Sequence, residues 1–100
     1  MRTRYVGKVT HVYKSIGCVA VRLQDGEDFT IMTGEHILFE KGDPDKPDVT
    51  GMHRSDHFIK NIQIDHQNLR SAHSGEHCAF ALSGNKLPPN NANVFLVLAS

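Results

Sequence analysis

The nine residues Phe58-Ile59-Lys60-Asn61-Ile62-Gln63-Ile64-Asp65-His66 constrain the fold of this chain more than any other stretch. Phe58, Ile62 and Ile64 share one parity, and Asn61, Gln63 and Asp65 share the other. Side chains alternate across a strand with a period of two, so this segment has one dry and one wet face, as the wall of a barrel or sandwich does. Lys60 interrupts the dry parity, which requires it to snorkel or to sit at a bulge. No segment of helix length shows the 3.6-residue apolar period that would argue for a helical fold.

The rest of the chain has the same grain. Arg4 to Tyr13 reads as a first strand, with Val6, Val9 and Val12 as β-branched content and Gly7 marking a bend or a close backbone approach. Lys14-Ser15 reads as a two-residue connection to a strand from Ile16 to Leu23, with Val19, Val21 and Leu23 on one parity and Cys18, Ala20 and Arg22 on the other. A turn centred on Asp25-Gly26 leads to a strand from Asp28 to Thr33, with Phe29 and Ile31 inward, and His36 to Glu40 supplies a further short strand. Lys41 to Ser55, with two prolines and an acid cluster, reads as an exposed loop. Gln67 to His73 reads as a polar connection with room for a single helical turn. His77 to Leu82 and Val94 to Ala99 read as strands, separated by a loop that carries Pro88-Pro89-Asn90-Asn91. Short strands with turn signals at close intervals predict an all-β barrel or sandwich.

One hundred residues form one domain, spanning 1–100. Lys+Arg and Asp+Glu are equal at 11 each, which argues against a strongly basic nucleic-acid binder while leaving room for a local basic face. Two cysteines, Cys18 and Cys78, make no disulfide framework and no CxxC, and read as buried reduced thiols. Neither an apolar signal region after Arg2 and Arg4 nor a run long enough to span a bilayer is present, so the expected compartment is the cytoplasm, with no membrane partner.

Tyr5-Val6-Gly7-Lys8-Val9-Thr10-His11-Val12-Tyr13 followed by Ile16-Gly17-Cys18-Val19-Ala20-Val21 resembles the opening hairpin of the translation-factor-type β-barrel. This is the second domain of the GTPases that deliver aminoacyl-tRNA; a close variant occurs in small stand-alone elongation-factor-like proteins and at the end of collagenase-like peptidases. Asp56 to His66 is similar to a later family pattern, with Lys60, Ile62, Gln63, Ile64 and His66 in matching places, and Gly75-Glu76 is similar to the turn before the next strand. The likeness spans nearly the whole chain. The segment between Leu23 and Phe29 is shorter than in the family, and Lys41–Ser55 reads as an insertion. Where members that deliver aminoacyl-tRNA carry an Arg and an Asn, this chain has His73 and His77. The resemblance implies a closed six- or seven-stranded antiparallel barrel.

The chain has no GxxxxGK[ST] sequence for a nucleotide and no GxSxG nucleophile, and the expectation is a non-enzyme with no cofactor. Cys18 or Cys78 as a nucleophile requires an exposed electropositive site that strand-embedded cysteines lack. His53-x3-His57 and His73-x3-His77 repeat a spacing that aligns metal ligands on a helix; in loops and strand starts they read equally as surface histidines, and no metal site is assigned. The candidate nucleic-acid-binding residues are Lys8, His11, Lys14, Arg22, Lys60, His66, His73 and His77, with Tyr5 and Tyr13 available to stack bases or to cover the barrel end. Lys8 and Lys14 fall on the parity opposite Val9 and Tyr13. A solvated charged face is the alternative for the same residues. The primary expectation is a non-catalytic module docking on RNA, the ribosome or a ribonucleoprotein, through phosphate contacts to Lys, Arg and His. The alternative is a protein-interaction or accessory domain working with a separate, peptidase-like enzyme, and the third is metal binding through histidines.

Overall fold

Alternating strands that each bury one face close here into a barrel. The computed structural model describes residues 2–41, 53–84 and 86–98, with the His53 side chain excepted. In chain order the strands are β1 (Arg2–Tyr13), β2 (Cys18–Leu23), β3 (Thr30–Met32), β4 (His36–Lys41), β5 (His53–Ile64), β6 (Gln67–Leu69), β7 (Ser71–His73), β8 (His77–Leu82) and β9 (Asn93–Leu98). The large sheet runs β4-β9-β1-β2-β8-β5-β6, and β4 also pairs with β5. That last pairing closes a six-stranded antiparallel barrel and leaves β6 as an extra strand on the end of β5. Closure removes the open edges that a flat sheet of this size would expose. The fold is therefore the expected all-β barrel.

Bulges account for where the parities fail. On β1 the register shifts between Tyr5 and Gly7 against β9, and between Val9 and His11 against β2. Each shift adds one residue, so Val6, Val9 and Val12 turn inward at a spacing of three, and Tyr13 lies outside at 43% exposure rather than on the face of Val9. On β5 the shift falls between Ile59 and Asn61, which puts Lys60 outside at a bulge. Before it, His57 and Ile59 face inward; after it, Ile62 and Ile64 do. Phe58, expected on the dry face, is instead 56% exposed and packs on the His36 ring at 5.1 Å.

The barrel interior is filled by side chains in rows. Val12, Val19, Phe80 and Ile62 occupy successive register positions on β1, β2, β8 and β5. Phe29 and Ile31 do point inward, and with Ala72 they belong to the same core, so the separate β3–β7 pair packs against the barrel. Arg4 holds the loop before β3 through Glu27 at 3.1 Å and the Phe29 ring at 5.1 Å. His57 is the one buried polar side chain among the described residues, 4% exposed. Its Nδ1 donates to the Ser83 carbonyl, which leaves Nε2 to accept from the Ser55 hydroxyl at 3.1 Å.

Several connections differ from expectation. Tyr13 pairs with Cys18, so the first hairpin turns through four residues, with Gly17 at φ 69, and Ile16 stands in the turn at 68% exposure. Gln67 to His73 contains no helical turn; it forms β6 and β7. Asp65 and His66 do not extend β5 but form a two-residue turn at φ 51 and 64 between the paired Ile64 and Gln67. That is the primed-turn geometry that matches strand twist, and Asp and His are among the side chains that tolerate it. His53 to Ser55, read as loop, begin β5; Gly42 to Met52, with the acid cluster, lie outside the described residues.

Cys78 is buried as expected, whereas Cys18 faces outward and is partly exposed. Burial, with a smaller contribution from the Glu76 charge, pushes the Cys78 thiol from 9.0 up to about 12. In the unfolded chain this thiol ionises near its ordinary value. Below about pH 9 both states keep the proton, and stability does not depend on it. Above that only the unfolded chain loses the proton, so stability should fall as pH rises, by about 1.4 kcal/mol per pH unit. Cys78→Ala is expected to reduce this fall, leaving what the raised Cys18 thiol contributes, checked by urea unfolding at about pH 8 and about pH 10.

Candidate binding site

The outer barrel wall carries a trough whose origin is visible in the register. His11, Ala20, Ala79, Gln63 and Asn68 face one another in a row across β1, β2, β8, β5 and β6. The next row is Tyr13, Cys18, Ala81 and Asn61. In both rows the outer strands carry long side chains, while β2 and β8 carry only a methyl or a thiol. A trough therefore runs along β2 and β8, with β1 as one wall and β5 with its turn as the other. The hollow here has a volume of about 450 Å³, with Tyr13 and Ile16 on one side, Gln63, Asp65 and His66 on the other, and His77 at one end.

The walls are held in place by hydrogen bonds. Asn61 Nδ2 and Gln63 Nε2 both donate to Asn68 Oδ1 at 2.9 Å. Thr10, the extra residue of a β1 bulge, donates its hydroxyl proton to the Ala20 carbonyl at 3.3 Å. Its oxygen then accepts from His77 Nε2 at 2.8 Å, which fixes the imidazole at the trough end. His11 packs edge-on against Tyr13 with ring centroids 4.4 Å apart. On the floor, burial raises the Cys18 thiol, with the charge of Lys60 acting in the opposite direction.

A third row closes the His77 end. Lys8, Arg22 and His77 are successive register partners on β1, β2 and β8. Among the described residues neither Lys8 nor Arg22 is within ion-pair distance of a carboxylate. Both line an adjacent depression of about 350 Å³ with Tyr5, Gln24, Asp25 and Asn91.

The fold thus gathers part of the predicted set. Lys8, His11, Arg22, His66 and His77 lie on or beside the trough, and Lys60 acts on its floor. Lys14 is in the hairpin turn beside it. His73 stands apart: its Nδ1 bonds Thr30 Oγ1 at 3.0 Å across the small β3–β7 sheet, while His77 bonds to β1. The two histidines that flank the Gly75 turn therefore serve different strands. Among the described residues no group of three or more His, Cys, Asp or Glu side chains is placed to hold a metal ion. The floor residues Cys18, Ala20, Ala79 and Ala81 escaped the sequence reading. Their signal was the outward parity of β2 and β8, on which every position short of Arg22 and His77 is small.

This arrangement offers a concave, mostly apolar strip that can bind a ligand. The chain matches no known protein-family model and no curated protein sequence. The solved structures are more informative. In fold, the chain is similar to the C-terminal domain of a U32 peptidase. That domain comes from a Geobacillus thermoleovorans protein; it matches with a TM-score of 0.69 at 14% identity, covering 94% of this chain and 92% of that one. The selenomethionine variant of the same domain gives 0.64 at 15% identity, covering 91% and 96%. At such identities the likeness concerns the fold. Among the described residues no helix is long and apolar enough to cross a membrane.

Proposed function

We propose that this chain is a non-catalytic interaction domain that engages a protein partner through the β2–β8 trough. The observation that carries this is the trough itself, a preformed concave strip with a methyl-lined floor, hydrogen-bonded walls and exposed Tyr13 and Ile16 at its lip. Concave apolar sites with a few fixed polar groups are the usual form of a binding site, and exposed apolar side chains gathered at one place mark interaction surfaces. The fold likeness to a peptidase's C-terminal domain supports an accessory role beside a separate enzyme. The expected RNA or ribosome partner draws support from a different observation, Lys8 and Arg22 beside His77 with no ion-pair partner among the described residues, together with the translation-factor resemblance of the first hairpin. It stands as the second reading.

The test is capture from a native lysate on the immobilised protein, with and without nuclease, beside Ala79→Arg, which places a long side chain on the trough floor. A captured protein that survives nuclease and is lost with Ala79→Arg supports the protein-binding reading. Capture abolished by nuclease, or unchanged by Ala79→Arg, sinks it.

A further inference from the structure

The charge around the trough narrows the chemistry of the partner, an inference that rests on the protein-binding reading above. Along β8 the floor runs from His77 through Ala79 to Ala81, about 13 Å at the ordinary rise of a strand, which accommodates about four extended residues. The His77 end is closed by Lys8, Arg22 and His77, and the Cys18 side lies in the field of Lys60. Asp65, on the side wall, is the one carboxylate among the described residues lining the trough, and Asp25 lies in the depression beside Arg22. The floor between the cationic ends carries no charge.

We propose that the trough binds an extended acidic peptide, with aliphatic side chains seated on Ala20 and Ala79 and a carboxylate paired to Arg22 and Lys8 at the His77 end. Extended backbone fits because the β5 wall offers a polar edge in the Gln63 and Asn61 amides, while the shallow methyl floor accepts only side chains that point down at alternate positions. Arg22 suits a carboxylate because its planar fork can bind both oxygens. A nucleic acid would find the same cations, but the floor gives its bases three alanines and a thiol in place of a stacking surface.

The proposal is tested by fluorescence polarisation with three fluorescein-labelled hexapeptides that share a Val-Leu centre and carry Asp/Glu, Lys or Ser at the flanks, together with a labelled single-stranded RNA. The acidic peptide is expected to bind at least about tenfold more tightly than the others, and Lys8→Ala/Arg22→Ala to erase that preference. Ala79→Arg should abolish peptide binding, with folding verified by its thermal melt. As a second block that needs no substitution, an N-ethylmaleimide adduct formed at Cys18 on the folded protein should do the same. Equal binding of all three peptides, still blocked at Ala79 and Cys18, would overturn the acidic preference and leave the protein-binding reading standing. Binding of no peptide overturns the proposal. RNA binding that is tighter than the acidic peptide and falls steeply with salt overturns it together with the protein-binding reading.

Discussion

Gly7→Ala is expected to destabilise the barrel by about 3 kcal/mol. A Cβ at this position would stand 2.1 Å from the Arg22 carbonyl oxygen and 3.0 Å from its carbon, both backbone atoms of the paired β2 strand. No rotamer change relieves that contact; the strands must separate. Gly7 pairs with Leu23 on one side and Val94 on the other, beside the bulge against β9, so separation would strain two ladders at once. For a domain of this size, with total stability of about 5–15 kcal/mol, the loss is a large share. Urea unfolding should show a lowered midpoint with an unchanged slope. A loss below about 0.5 kcal/mol would mean that the close approach of β1 and β2 is not a requirement of the fold.

Phe80→Ala should cost more, about 3–5 kcal/mol. Phe80 is fully buried, and its register partners Val19 and Ile62 are themselves fully buried on opposite sides of it. A closed barrel cannot collapse onto the vacated space, because each wall strand is fixed by hydrogen bonds to two neighbours. Phe80→Leu, which retains most of the volume, should cost less, about 1.5 kcal/mol. A fall of more than about 12 °C in Tm for the alanine variant and a smaller one for leucine is the expected pattern. Equal losses for the two variants would refute the argument from cavity volume.

The contrast between Phe80 and Phe58 shows how far the sequence reaches. Phe80 lies on β8, where alternation runs unbroken from His77 to Leu82, and every inward residue of that strand follows from parity. On β5, parity assigned Phe58 to the dry face, and a single bulge at Lys60 reversed the phase of everything before it. Lys60 itself was the warning, since a lysine among inward residues must either snorkel or mark an insertion. The spacing of Val6, Val9 and Val12 was the same warning on β1. At Asp65-His66 the polar residues were visible, but only the pairing of Ile64 with Gln67 made them a turn.

The sequence by itself determined that the chain is all-β, a barrel or a sandwich, and which residues supply most of its interior, and it marked Gly7 as a bend or a close backbone approach. Those properties depend on local alternation and side-chain size, which can be read one strand at a time. The trough was decided by tertiary structure alone. It exists because Ala20 and Ala79, far apart in the chain, come into register on adjacent strands, and because two bulges bring Thr10 and Lys60 to the outer wall. Register across a closed barrel depends on which strands pair and on the β4–β5 closure; Lys60 and the valine spacing mark β5 and β1 as irregular, but no single strand's pattern shows which residues it will face.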